Sequence, residues 1–112
     1  MEIEQYDIVL VDLNMVGSSD HPGAEIKKIR PCVVISPDEM NRYLRTIVIA
    51  PMTTRARTYP TRVRVRHNQK SGWIVVDQIR TVDRNRVKRR VGNLTNPEIR
   101  KLKNTIRESY VE

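Results

Sequence analysis

The chain has 112 residues, the length of one compact domain, and it is strongly basic, with 21 Lys and Arg against 13 Asp and Glu and a net charge of +8. That length excludes a catalytic domain joined to a separate binding domain. The hydrophobic fraction of 38% supports one modest core, which burial at a dimer interface would enlarge.

Tyr6-Asp7-Ile8-Val9-Leu10-Val11-Asp12-Leu13 is apolar at most positions and predicts a strand buried on both faces. Residues 14–29 combine Gly17, Ser18, Ser19, Pro22 and Gly23 with mixed charge and predict a loop, long for so small a domain. Arg30-Pro31-Cys32-Val33-Val34-Ile35 reads as a second strand with proline at its start, where a missing N–H does least harm. Ser36-Pro37-Asp38-Glu39 then predicts a short helix capped by Ser36, with Glu39 completing a capping box, ending near Leu44. Thr46-Ile47-Val48-Ile49-Ala50-Pro51 is a third strand that enters a polar turn, Met52-Thr53-Thr54.

Thr61-Arg62-Val63-Arg64-Val65-Arg66 alternates with period two, which places two valines on one face and three arginines on the other. Ser71-Gly72 is expected to turn into Trp73-Ile74-Val75-Val76-Asp77, and Gln78–Val82 to continue extended. Val87–Val91 is a last short strand. Thr95-Asn96-Pro97-Glu98 spells a second capping box, after which Ile99, Leu102, Ile106 and Tyr110 recur along one helical stripe. The sum is a mainly β chain with helices, an α+β fold. It is a small sheet of antiparallel strands closing toward a barrel, with a C-terminal helix packed on it, and it makes a single domain over residues 1–112.

The charge is uneven. Residues 55–90 hold twelve Lys and Arg against only Asp77 and Asp83, a local net of +10, while the remainder of the chain nets −2. Such a concentration points to a polyanionic partner, with nucleic acid first, against the plainer reading of a solvated face. Ten of the twelve are arginines, whose planar fork pairs bidentately with phosphate. Arg55, Arg57, Arg62, Arg64, Arg66 and Arg80 are the candidate contacts, with Tyr43, Tyr59 and Trp73 as stacking platforms and His67 following the arginine strand.

No stretch approaches the roughly 18 apolar residues of a membrane-spanning helix. The acidic opening MEIEQYD does not read as a signal peptide, and the lone Cys32 fits a reducing cytosol. One Cys and two His, His21 and His67, argue against a structural zinc site, and neither a metal nor a cofactor is expected. The chain holds no nucleophile elbow, no phosphate-cradling glycine loop and no acidic cluster for magnesium. Chemistry built from Arg, Thr, Asp and His alone suits RNA transphosphorylation, in which the substrate's own 2′-OH attacks the adjacent phosphodiester. The protein then has to orient the phosphate, offset charge on its equatorial oxygens and manage two protons.

Six segments in order carry a resemblance. These are Tyr6–Leu13, with Tyr6 where a glycine is usual, then Arg30-Pro31-Cys32-Val33-Val34-Ile35-Ser36, Pro51-Met52-Thr53-Thr54 and Tyr59-Pro60. Asp77-Gln78-Ile79-Arg80-Thr81-Val82-Asp83 and Val91-Gly92-Asn93-Leu94 complete the set. From about Tyr6 to Tyr110 the chain resembles the MazF/PemK family of toxin–antitoxin endoribonucleases. The resemblance implies a small SH3-like barrel, a cytoplasmic homodimer, and metal-independent, sequence-selective cleavage of single-stranded RNA to 2′,3′-cyclic phosphate and 5′-hydroxyl ends. It also implies a cognate antitoxin whose acidic or amphipathic tail covers the basic groove. The family's catalytic pair maps onto Arg30 and Thr53. Some members use the aspartate that corresponds to Asp77 for acid–base work beside an Arg two residues earlier, where this chain has Val75. Others place a His or Glu in the first loop, where Asp20 and His21 lie. Two further readings share the barrel: a non-catalytic, protein-binding toxin of the gyrase-poison type, and an inactive RNA-binding domain.

Overall fold

The computed structural model describes residues 1–13, 29–55 and 59–111. Seven strands and two α-helices follow the predicted order: β1 (Asp7–Asp12), β2 (Ile29–Val34), α1 (Asp38–Tyr43), β3 (Thr46–Thr53), β4 (Arg62–His67), β5 (Lys70–Val75), β6 (Arg80–Asp83), β7 (Val87–Asn93) and α2 (Asn96–Ile106). Every pairing among them is antiparallel, in the order β4-β5-β3-β2-β1-β7, with β6 also on β3. β3 is shared in succession, by β6 along Thr46–Ile49 and by β5 at Met52 and Thr53. The predicted mainly β fold with a C-terminal helix is therefore present. The sheet is a curled half-barrel, because no ladder joins β4 to β7 among the described residues.

Strand alternation sorts the apolar residues into two clusters on opposite faces. Ile8, Val33, Ala50, Met52, Val63, Val65 and Ile74 form one cluster, against which α2 packs with Leu102 fully buried and Ile99 and Ile106 partly so. Val9, Val11, Cys32, Val34, Ile47, Ile49 and Val82 form the other. The first strand is thus buried on both faces, as its unbroken apolar run predicts. The second capping box is complete: the Thr95 N–H donates to Glu98 Oε1 at 2.9 Å and the Glu98 N–H to Thr95 Oγ1 at 3.4 Å. Cys32 is an inert core thiol. Burial pushes it up to about 12, against the smaller opposing pull of the Arg80 and Arg30 charges.

Three local expectations are corrected. Ser36 is buried and does not cap α1, which starts after Pro37 with no side-chain cap. Its hydroxyl instead bonds Asn41 Oδ1 and accepts from the Val48 N–H at 3.0 Å, satisfying a buried asparagine and a strand donor at once. The turn expected at Ser71-Gly72 lies earlier, at Asn68 and Gln69, whose φ angles of 51° and 63° give the doubly left-handed turn that suits a two-residue hairpin. Gly72 sits inside β5 because a Cβ there would lie 3.2 Å from the Thr53 carbonyl oxygen. Finally, Val76–Gln78 coils into a 3₁₀ turn between β5 and β6, so the chain is not extended through Gln78.

Tyr6 has φ 70°, a left-handed backbone that costs a residue with a Cβ about 1–2 kcal/mol. That explains why glycine suits this position. The backbone of Tyr6 ties two strands together, its N–H donating to Val34 O at 2.8 Å and its carbonyl accepting from the Leu94 N–H at 3.0 Å. We expect Tyr6→Gly to be more stable than Tyr6→Ala by about 1 kcal/mol in urea unfolding, the reverse of the usual order within a strand. Equal stability, or a more stable alanine variant, would remove the conformational explanation.

Candidate active site

The second apolar cluster stops at one end of the curled sheet, and charge begins there. β2 and β3 pair with Cys32 opposite Pro51. Arg30 and Thr53 lie two residues beyond that pair, each on the same strand face as its paired neighbour. The family-implied pair is thus brought together by register, although 23 residues of sequence separate the two. Thr53 also pairs with Trp73 of β5, which in turn faces Arg64 of β4.

Two clefts meet at this pair. One, of about 690 Å³, is lined by Arg30 and Thr53 together with Leu13, Arg55, Tyr59, Arg62, Gln78 and Arg80. The other, of about 440 Å³, is lined by Arg30, Thr53 and Arg55 together with His67, Asn68, Lys70 and Ser71. No carboxylate lines either cleft among the described residues. Their joint surface is therefore cationic, with a neutral hydroxyl at the junction, an arrangement that fits a chain of phosphates. Thr53 Oγ1 accepts the Arg55 N–H at 3.2 Å, which fixes the hydroxyl and leaves its proton available to a phosphate oxygen.

The other predicted residues separate into groups. Arg55, Arg62 and Arg80 line the larger cleft as expected. Arg62 is held there by Tyr59, whose ring centroid lies 4.9 Å from the guanidinium carbon, and by Asp77, 3.7 Å from its Nε. Arg64 and Arg66 are exposed on the same face of β4 but beyond the cleft walls, so the alternation placed the stripe while only its first member reaches the cleft. Asp77 does not line either cleft. It accepts from Thr61 Oγ1 at 2.9 Å and holds Arg62, so its contacts are those of a residue that positions the guanidinium. Asp20, His21, Arg57 and all of the predicted first loop except Ile29 lie outside the described residues. Among the described residues, no group of three His, Cys, Asp or Glu could hold a metal ion. No helix among them is long and apolar enough to cross a membrane.

Sequence reasoning passed over Asn68, Lys70 and Ser71, because their place in the second cleft depends on where the hairpin turns. The positive-φ tolerance of asparagine at position 68 was the available signal.

The chain is similar to known proteins. Residues 4–110 match the family described as PemK-like, MazF-like toxin of type II toxin–antitoxin system. A protein of Staphylococcus saprophyticus subsp. saprophyticus named endoribonuclease MazF is 33% identical over 106 residues, covering 89% of this chain and 84% of that protein. Among solved structures, a MazE–MazF structure from Deinococcus radiodurans superposes with a TM-score of 0.80 at 21% identity, over 97% of this chain and 96% of that one. A mycobacterial endoribonuclease in complex with its cognate antitoxin gives 0.78 at 19% identity, over 96% and 93%. Fold, ordered motifs and near full-length similarity agree, and the chain belongs to the PemK-like, MazF-like toxins of type II toxin–antitoxin systems.

Proposed function

We propose that this toxin is an endoribonuclease that cleaves single-stranded RNA by transphosphorylation, leaving 2′,3′-cyclic phosphate and 5′-hydroxyl ends. The observation that carries the reading is the Arg30 and Thr53 pair at the junction of two cationic clefts. In the reaction the 2′-oxygen attacks the neighbouring phosphorus, and negative charge grows on the equatorial oxygens. The Arg30 guanidinium offsets that charge, and the Thr53 hydroxyl donates to one of the oxygens. Arg55, Arg62 and Arg80 hold the flanking phosphates, and Tyr59 offers an exposed ring for a base.

The protein acts as a homodimer in the cytoplasm and is silenced by a cognate antitoxin whose acidic or amphipathic tail covers the clefts. Structures of similar fold that hold a MazF with MazE, or a mycobacterial endoribonuclease with its antitoxin, support the antitoxin assignment. A protein-binding toxin of the gyrase-poison type would not need the Arg30 and Thr53 pairing at a cationic junction.

The test is incubation with a long single-stranded RNA in EDTA, followed by mapping of fragment ends. Because the substrate supplies the nucleophile and arginine supplies the charge, cleavage is expected to persist in EDTA. The expected ends are 2′,3′-cyclic phosphate and 5′-hydroxyl, at a restricted set of sequences. Loss of activity on chelation with recovery in magnesium would overturn the mechanism. Intact RNA under all conditions would favour the protein-binding toxin.

A further inference from the structure

Transphosphorylation needs a proton delivered to the departing 5′-oxygen, and no histidine lines the larger cleft among the described residues. The smaller cleft holds one. We propose that His67 is the general acid of this reaction, a role that rests on the RNA-cleaving reading above.

His67 closes β4, shares its cleft with Arg30 and Thr53, and is half-buried. The left-handed turn at Asn68 and Gln69 fixes the end of the strand that carries it. Its ring lies against Gly92 of β7, where any Cβ would fall 2.7 Å from Cε1 and 3.2 Å from Nδ1. A side chain at position 92 would force the imidazole to move, so the ring occupies space that the glycine leaves open. The charged groups that line the same cleft are Arg30 on β2, Arg55 after β3 and Lys70 on β5. Glu98 on α2 accepts the N–H of the adjacent Arg66, and Arg90 on β7 is paired with Asp7.

In the step itself the 2′-oxygen bonds to phosphorus and its proton passes to solvent water acting as base. The bond from phosphorus to the 5′-oxygen breaks, and its electron pair stays on that oxygen. The imidazolium of His67 gives the oxygen its proton and is reprotonated from solvent.

The experiment compares wild type, His67→Ala, His67→Gln and Gly92→Ala in single-turnover cleavage of two RNAs across pH. One RNA is natural, and the other carries sulfur in place of the bridging 5′-oxygen at the cleaved bond. A thiolate leaves without protonation, so that substrate does not need an acid. On natural RNA we expect both His67 variants to be slower by about 100-fold or more and to lack the fall in rate at alkaline pH that an acid catalyst would give wild type. On the sulfur-bridged RNA they should match wild type within a few-fold. Gly92→Ala, which pushes the ring from its seat, should show the same selective defect.

Equal slowing on both substrates, or an unchanged pH profile with weakened RNA affinity, would make His67 a binding residue and overturn the proposal. Wild type that cleaves neither RNA would instead defeat the endoribonuclease reading. Active wild type with unaffected His67 variants would defeat only this inference.

Discussion

Replacing Arg30 with alanine is expected to slow single-turnover RNA cleavage by about 100- to 1000-fold while leaving affinity for uncleavable RNA nearly unchanged. The two effects separate because Arg30 lies outside the +10 segment that supplies long-range attraction. Its guanidinium lines both clefts, and in the proposed reaction charge grows beside it only as the phosphorane forms. A donor preorganised at such a point acts mainly on the transition state. Thr53→Ala removes a neutral donor and should cost about 10- to 100-fold, because charged hydrogen bonds are roughly twice as strong. Thr53→Ser keeps both the hydroxyl and its bond from the Arg55 N–H and should retain most activity. If the two act on one phosphate, the double variant should fall short of the summed penalties. Affinity is read with an RNA whose attacking 2′-OH is replaced by hydrogen. If Arg30→Ala loses rate and affinity in equal proportion, Arg30 binds RNA without catalysing, and the site lies elsewhere.

Leu102→Ala is expected to cost about 3 kcal/mol of stability, within the 2–5 kcal/mol range for a fully buried leucine. α2 has only 11 residues, too few to hold helix by itself in water. What keeps it folded is the seat that Leu102 occupies among Ile8, Val33, Val63, Val65 and Ile74. Truncation loses the transfer energy of the buried carbons and leaves a cavity that strands anchored on both sides cannot collapse to fill. Lys101→Ala, at an exposed neighbouring position, should change stability by less than about 0.5 kcal/mol. The measurement is urea unfolding followed by circular dichroism at one fixed protein concentration, because dimerisation would add its own term. The midpoint should shift without a change in slope, and cleavage well below the midpoint should survive, since Leu102 lines neither cleft. A cost below about 1 kcal/mol would mean that α2 is not part of the cooperative core.

The sequence alone determined what depends on local pattern and composition. Period-two alternation in Thr61–Arg66 set valines inward and arginines outward, and the Thr95–Glu98 capping box with its apolar stripe set α2, because strand and helix periods are properties of the local backbone. The charge excess in residues 55–90 pointed to a polyanion, and the ordered motifs singled out Arg30 and Thr53. Tertiary structure decided the rest. Ser36 looked like a helix cap but serves a buried asparagine and a strand donor, a demand that exists only once β3 lies beside it. Gly72 looked like a turn, yet its missing side chain admits the Thr53 carbonyl of a neighbouring strand. Of the three alternating arginines only Arg62 reaches the larger cleft, because where a sheet curls is set by long-range pairing and not by strand period. His67 shows the same division. Its residue type was visible from the start, but its seat against Gly92 joins two strands that are distant in sequence and meet only when the half-barrel folds.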